Sequence, residues 1–238
     1  MTVMNTEIRY VAILDTETTS LEPPPAGRTI EVAVMLYDIK LAQPVASYAS
    51  LICNDGNEEY GMPANPAEAI NGIPGSMLAD APDADVVWRC VRWLISLAEV
   101  IIAHNAAFDR QFCPDLGRPW LCSENDIQWP GRTRGGSLVQ LALSMGLGVA
   151  SAHRAMSDVD TLARIFTRSA EKGCDLEAMI RHGMRPKKLF YAQVPYEKRQ
   201  LAKDAGFRWD EAKHGKNWYR EMAVEDTKGL PFPVKEKP

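Results

Sequence analysis

The chain has 238 residues, 46% of them hydrophobic, which is enough to bury one substantial core and a second small one. Its five cysteines show no Cys-x-x-Cys spacing, so neither a zinc site nor a disulfide framework is expected and a reducing compartment is favoured. The first residues lack a basic segment followed by an apolar one, and no run is long enough to cross a bilayer. We therefore expect a cytoplasmic protein with no membrane contact.

Charge is distributed unevenly along the chain. Residues 1–180 hold 13 Lys and Arg against 23 Asp and Glu, whereas residues 181–238 hold 14 against 8. The formal net charge of −4 thus combines an acidic body with a basic tail, which suggests two modules. An acidic body suits metal binding and a basic tail suits phosphate, although Lys and Arg also serve simply to solubilise a small domain.

The elements predicted for the body alternate between strands and helices. Segments rich in Val, Ile and Tyr predict strands, and apolar residues at helical spacing predict amphipathic helices. This alternation is typical of the α/β fold class, with a mixed sheet flanked by helices. The predicted strands are residues 10–14, 30–37, 45–52 and 99–103, and the predicted helices are residues 83–97, 137–147 and 154–170.

The tail predicts a small α+β module after a domain that covers residues 1–180. A strand at 189–194 and a helix at 197–205 precede aromatic segments around Trp209 and Trp218. Interleaved aromatic and cationic residues suit single-strand binding, but so small a domain also needs large aromatic side chains for its core. We predict that this module covers residues 186–225 and that residues 226–238, rich in proline and lysine, form a disordered end.

Two carboxylates follow the first predicted strand. Residues two apart in a strand point to the same face, so Asp15 and Glu17 lie together at the strand's end. Adjacent anions repel unless a cation or a shared proton offsets them, and oxygen ligands suit Mg²⁺ or Mn²⁺. Asp109 and Asp158 supply carboxylates for a second ion.

Three short motifs occur in order along the body. They read Asp-x-Glu-Thr-Thr from Asp15, Asn-x-x-x-Asp from Asn105 and His-x-Ala-x-x-Asp from His153. Over roughly residues 8–172 this set resembles the DnaQ-like 3′–5′ exonucleases of the DEDDh subgroup, nearest the exonuclease X, ribonuclease T and polymerase III epsilon branch. The resemblance implies a ribonuclease H-like fold. Ser20 stands where the family usually has glycine, which changes a turn residue and no ligand.

The resemblance also assigns roles to five side chains. It implies that Asp15 bridges two ions, Mg²⁺ or Mn²⁺, and that Glu17 and Asp158 complete the ion that holds the attacking water. Asp109 then anchors the ion near the leaving 3′ oxygen. His153 is implied as the general base, because imidazole exchanges protons near neutral pH, and the alternative is a capping or surface histidine.

Further residues are implied as substrate contacts. By resemblance, the main chain of Thr16 and Thr18 holds the terminal 3′ nucleotide, and Leu21 enters between the last two bases. Ordinary packing is the alternative for Leu21. Asn105 orients its segment or touches phosphate. Residues 70–74 either border the substrate groove or form a turn between two helices.

The implied reaction is hydrolysis of phosphodiester bonds from the 3′ end of single-stranded DNA, with release of nucleoside 5′-monophosphates. We expect single-stranded nucleic acid as the partner, with DNA favoured over RNA. The alternatives are a proofreading component held by a polymerase or clamp, and an exoribonuclease that trims 3′ ends. A binding protein with a dead site is disfavoured because all five reactive side chains are present. Residues 140–145 faintly resemble a clamp-binding peptide, but their position predicts a core helix.

Overall fold

The body of the chain contains a mixed sheet of five strands in the computed structural model, which describes residues 7–53, 65–131, 136–151 and 153–237. These strands are β1 Tyr10–Thr18, β2 Thr29–Asp38, β3 Gln43–Leu51, β4 Val100–Ala103 and β5 Trp120–Cys122. Their order across the sheet is β3-β2-β1-β4-β5. β1 runs antiparallel to β2 and parallel to β4, so the predicted mixed sheet is confirmed.

β1 occupies the centre of the sheet because both of its faces are apolar. Val11 and Ile13 point into one hydrophobic core, and Ala12 and Leu14 point into the other. All four side chains are buried. A strand covered on both faces is firmly held, so any side chain at its end has a well-defined position.

Helices cover both faces of this sheet. They are α1 Glu68–Asn71, α2 Gly75–Ala79, α3 Ala84–Ile95, α4 Ala106–Phe112, α5 Leu138–Ser144, α6 Ala155–Glu171 and α7 Leu176–Gly183. α3 packs Val87 and Val91 into the core that contains Leu14. α6 packs Leu162 and Phe166 into the core that contains Ile13. The two cores hold β1 between layers of helix, as the predicted fold class requires.

A second, smaller sheet follows the body and has its own core. Its strands are β6 Lys188–Ala192, β7 Arg208–Trp209, β8 Trp218–Met222 and β9 Val234–Glu236, and its helices are α8 Arg199–Asp204 and α9 Glu211–His214. The strand order is β7-β8-β6-β9. Phe190, Phe207 and Phe232 are buried together in a cluster separate from the two cores of the body. We call residues 188–236 the C-terminal module.

The predicted disordered end at residues 226–238 is wrong where the structure describes it. β9 pairs with β6, with Tyr191 opposite Lys235, and Phe232 packs against Phe207 with ring centroids 5.5 Å apart. The prolines suggested disorder, but Pro231 and Pro233 precede β9 and do not interrupt its ladder. Proline is tolerated at such flanking positions because no strand hydrogen bond is lost there.

Several predicted elements differ from the structure in extent or were missed. α5 covers residues 138–144, and Leu141 and Ala142 within it are fully buried, so this segment is a core helix and does not present an extended clamp-binding peptide. α4, β5 and α7 were not predicted, because each has eight residues or fewer and gives little periodicity. Among the described residues, no helix combines the length and apolarity that a membrane span requires.

Candidate active site

Three carboxylates from two elements meet at the end of β1. Asp15 and Glu17 lie on β1, and Asp158 lies in the first turn of α6. One oxygen atom from each lies within 4.8 Å of the others. Because hard divalent cations bind several carboxylate oxygens at once, this group could hold a metal ion.

A fourth carboxylate, Asp109, lies in the first turn of α4 and is buried. Its Oδ1 accepts hydrogen bonds from the backbone N–H and the hydroxyl of Thr16, at 3.0 and 2.9 Å. These bonds join α4 to β1 beside Asp15. Asp109 is outside the group of three, but it lines the same cleft and its charge acts on Asp15.

All nine site residues predicted from the sequence border one open cleft of about 510 Å³. The cleft brings together the four carboxylates, His153 and the four residues implied as substrate contacts. These nine are Asp15, Thr16, Glu17, Thr18, Leu21, Asn105, Asp109, His153 and Asp158. They converge from β1, α4, α6 and the residues that flank these elements.

His153 lies immediately before α6 in a left-handed conformation, with φ of +61°. Its backbone N–H donates a hydrogen bond to Asp158 Oδ2 at 3.0 Å. The Ala155 N–H at the start of α6 donates to the Glu31 carboxylate, so the His153 imidazole does not cap this helix. The exposed side chain borders the cleft next to the carboxylates.

An ion pair between a buried glutamate and a partly exposed arginine supports this turn, and our sequence reasoning missed it. Glu31 on β2 accepts hydrogen bonds from Arg154 Nη2 at 2.8 Å and Nε at 3.1 Å, and from the Ala155 N–H at 2.9 Å. Glu31 also pairs in register with Glu17 on β1. The pair thus ties β2 to the residue that follows His153. The position of Glu31 inside an apolar strand could have indicated this pair, since charged residues are seldom buried without a partner.

Two of the residues implied as substrate contacts, Leu21 and Asn105, are exposed, whereas Thr16 and Thr18 are buried in β1. Leu21 is 84% exposed, so ordinary core packing does not account for it. Asn105 has a φ of +65° at the start of α4. Residues 72–74 join two short helices, which agrees with the turn interpretation, and Ile70 and Asn71 at the end of the first helix border the cleft. Asn71 Nδ2 donates to the carbonyl of Thr18 at 3.4 Å.

His104 borders the cleft but is engaged by the protein. Its Nε2 contacts the Gly136 carbonyl at 3.1 Å and its Nδ1 contacts Ser123 Oγ at 2.9 Å. A carbonyl only accepts, so Nε2 carries the proton and Nδ1 accepts from the Ser123 hydroxyl when the ring is neutral. His104 thus holds the segment after β4 against Ser123 and the loop that contains Gly136.

Burial and mutual repulsion raise the pKa values of the carboxyl groups in this cluster. Burial, and next the charges of Asp109 and Asp158, raise the pKa of Asp15 well above its ordinary value. Burial and then Asp158 raise the pKa of Glu17 to about 7. Burial raises the pKa of Asp109 to about 7, although the hydrogen bonds from Thr16 oppose the change. A divalent cation would offset this repulsion, so the donor set and its charge fit such an ion.

We expect the metal-free protein to lose stability as pH rises from about 4 to about 7 because of these groups. Carboxyl groups with raised pKa values hold their protons longer in the folded chain than in the unfolded chain, so their stabilising contribution is present at low pH and disappears as they ionise. Asp15→Asn should raise the melting temperature in EDTA at pH 8 by roughly 3 °C, which corresponds to about 1 kcal/mol in a chain of this size.

Thermal unfolding of wild type, Asp15→Asn and Asp160→Asn measures this effect. Asp160 is exposed on α6, two residues from Asp158, and serves as a matched control. Equal melting temperatures for the wild type and Asp15→Asn throughout this pH range would contradict the expectation.

Comparison with known proteins supports the geometric picture. The chain is 31% identical over 169 residues to the DNA polymerase III subunit epsilon of Treponema pallidum (strain Nichols). The aligned region covers 64% of this chain and 73% of that protein. The chain is 33% identical over 124 residues to exodeoxyribonuclease 10 of Escherichia coli (strain K12), which covers 50% of this chain. The match spans about half, 48%, of that relative.

The chain also resembles a solved exonuclease structure, and its C-terminal module matches a family model. The structure described as exonuclease X in complex with 5′ overhanging duplex DNA superimposes with a TM-score of 0.56 at 27% identity, and covers 73% of this chain and 99% of that one. Residues 188–236 match the family described as a domain of unknown function, DUF8626. That match ends at the last residue of β9, so the module includes the segment that the sequence had suggested was disordered. From the extent of the Treponema match and the shared fold, the chain belongs to the DnaQ-like family of exonucleases.

Proposed function

We propose that the protein is a metal-dependent 3′–5′ exonuclease that releases nucleoside 5′-monophosphates from single-stranded DNA. The observation that carries this proposal is the group formed by Asp15, Glu17 and Asp158, whose oxygens lie within 4.8 Å of one another in an open cleft. Half-buried carboxylates at this spacing repel one another and destabilise a fold unless a cation binds them. Their presence beside an exposed histidine favours hydrolysis of an anionic substrate.

We assign two ions, Mg²⁺ or Mn²⁺, to this cleft. Asp15, Glu17 and Asp158 would hold one ion, and Asp15 with Asp109 would hold the other. When bound, such ions neutralise charge on the phosphodiester and lower the pKa of the attacking water.

The residues of the chain supply proton transfer and positioning. His153 takes the proton from the attacking water, since its imidazole borders the cleft next to the carboxylates. The Glu31 and Arg154 pair holds the turn before α6 and so keeps His153 in place. Leu21, exposed at the cleft, inserts between the last two bases and exposes the terminal linkage.

Asn105 and the main chain of Thr16 and Thr18 hold the terminal nucleotide. Asn105 is exposed where α4 begins, and Thr16 and Thr18 both border the cleft. The bond from Asn71 to the Thr18 carbonyl fixes this part of the main chain before substrate arrives. Such prior ordering lowers the entropic cost of placing the substrate for attack.

DNA is favoured over RNA because the relative from Escherichia coli is named an exodeoxyribonuclease and the solved exonuclease X structure contains DNA. A second candidate function is proofreading in association with a DNA polymerase, since the Treponema relative is named a polymerase subunit. Co-purification of the full chain with a polymerase or a clamp distinguishes this from a free-standing enzyme.

Digestion of a single strand labelled at its 5′ end tests the proposed activity. With Mg²⁺ or Mn²⁺ we expect a ladder that shortens from the 3′ end, faster for DNA than for a matched RNA, and no digestion in EDTA. A circular single strand of the same composition has no 3′ end and should remain intact. Immediate release of the labelled 5′ nucleotide, or cleavage of the circle, would contradict the assigned polarity.

A further inference from the structure

A second cavity lies between the body and the C-terminal module. It has a volume of about 700 Å³, a size that accommodates groups as large as a nucleotide. α4 and the segment after β5 form its wall on the side of the body, and α8, β7 and β8 form its wall on the side of the module. We call this cavity the inter-module groove.

The inter-module groove is positively charged although the body is acidic. Five cationic side chains line it, against three acidic ones, so its balance is opposite to that of residues 1–180. The cations are Arg110, Lys187, Lys203, Arg208 and Arg220, and the acids are Glu124, Asp126 and Glu221. A positive groove in an acidic protein favours an anionic ligand.

Two of these cations form ion pairs with acidic residues of the body. Lys187 forms an ion pair with Asp126 at 2.6 Å, and Arg208 forms one with Glu124 at 3.1 Å. Arg110 and Lys203 are exposed, and neither forms an ion pair within the part of the chain that the structure describes. These two side chains can therefore meet the charge of a ligand without breaking an ion pair, although Lys203 Nζ also makes a cation–π contact with the Trp218 ring, 5.7 Å from its centroid.

An aromatic ring also borders the inter-module groove. Tyr219 on β8 lies opposite Arg208 on β7, and its ring stacks on His214 with centroids 3.8 Å apart. Stacking on His214 holds the tyrosine ring in a fixed orientation at the groove. Aromatic rings next to cations bind single strands, because bases stack on the ring while Lys and Arg meet the phosphates.

The inter-module groove adjoins the candidate active site through α4. Ala106, Ala107 and Arg110 line the groove, whereas Phe108 and Asp109 line the cleft. The width of one helix, about 10 Å, therefore separates the two. The hydrogen bond from His104 to Gly136 also links them, since His104 borders the cleft and Gly136 borders the groove.

We propose that the inter-module groove binds the same single strand a few nucleotides upstream of the 3′ end held in the cleft. Arg110 and Lys203 meet phosphates, and a base stacks on Tyr219. The C-terminal module thereby extends the substrate site beyond the terminal nucleotides. This inference rests on the proposed exonuclease function, which supplies the strand and its polarity.

The test measures how substrate recognition depends on strand length in the full chain. Wild type should digest a strand of about 20 nucleotides with a lower KM than a trinucleotide, because only the longer strand reaches the groove. Arg110→Ala/Lys203→Ala should raise the KM for the long strand roughly tenfold and so remove the advantage of length. For binding, measured in an Asp15→Asn background, the slope of log Kd against log salt should fall by about 0.7 for each lost contact.

Matched variants distinguish the loss of a contact in the groove from a change of charge elsewhere in the module. Lys228→Glu alters an exposed lysine of the same module that does not line the groove, and it should keep the wild-type salt slope. Tyr219→Phe retains a ring for stacking and should keep the low KM, whereas Tyr219→Leu should raise it roughly tenfold.

The outcomes separate the groove from the proposed activity. If wild type digests neither substrate, the proposed function fails. If it digests both but Arg110→Ala/Lys203→Ala keeps the wild-type KM and salt slope for the long strand, the groove does not bind the strand and the inference is overturned. A groove that binds an acidic segment of another protein would give this second result.

Discussion

Asp15→Asn is expected to lower the rate of phosphodiester hydrolysis by at least ~10³-fold while leaving the fold intact. Asp15 lies in the second half of the central strand, and its carboxylate belongs to the group that we assign to metal binding. Losing that charge weakens the site for its ions and forfeits several kcal/mol of transition-state stabilisation, which corresponds to this factor in rate. Asparagine has nearly the same shape, so the packing around β1 is preserved.

Steady-state digestion of a labelled single strand measures the loss, and circular dichroism verifies the fold. Asp158→Asn should behave in the same way. Asp160→Asn removes one carboxylate from the exposed side of the same helix and should retain the wild-type rate. Near-normal turnover by purified, folded Asp15→Asn would remove Asp15 from the assigned metal site.

Replacing His153 should slow turnover by ~10² to 10⁴-fold with little loss of metal or substrate affinity, because a general base acts on a proton and does not hold the ions. His153→Asn is the preferred variant. Asparagine tolerates the left-handed conformation found here, so the backbone bond to Asp158 should survive. The measurement is kcat and KM as a function of pH, and the wild-type decline in rate at acid pH should be weaker in the variant.

Chemical rescue sharpens the test of His153. His153→Gly also permits the left-handed backbone and leaves space beside the carboxylates. Adding imidazole to the buffer should restore part of its activity, and the same addition should not restore Asp15→Asn. If imidazole has no effect and His153→Asn keeps the acid limb of the wild type, another group takes the proton.

Two kinds of sequence information identified the candidate site residues. Asp15 and Glu17 stand out as neighbouring anions after an apolar stretch, whereas His153 and Asp158 were identified by a motif that resembles the DnaQ-like family. The cleft gathers all of them. The sequence pattern predicted the strand and the helix that carry these residues, but it did not predict the distances between their side chains.

Other features depend on contacts that local sequence does not encode. The Glu31 and Arg154 pair requires the register between β1 and β2 and the packing of α6 on the sheet. β9 was missed because composition was weighed without the partner strand β6, which makes a proline-flanked segment part of a sheet. Trp209 and Trp218 were ambiguous for a similar reason. Trp218 packs against the module core, whereas Trp209 is 45% exposed and contacts Trp218 with ring centroids 5.4 Å apart.

The carboxylates of the site come from distant parts of the chain, with Asp15 on β1, Asp109 on α4 and Asp158 on α6. None of these elements supplies a complete set of ligands. During synthesis, the first two strands leave the ribosome long before α6 exists, so a nascent chain cannot assemble the site. The proposed metal site is therefore complete only after α6 has docked on the sheet.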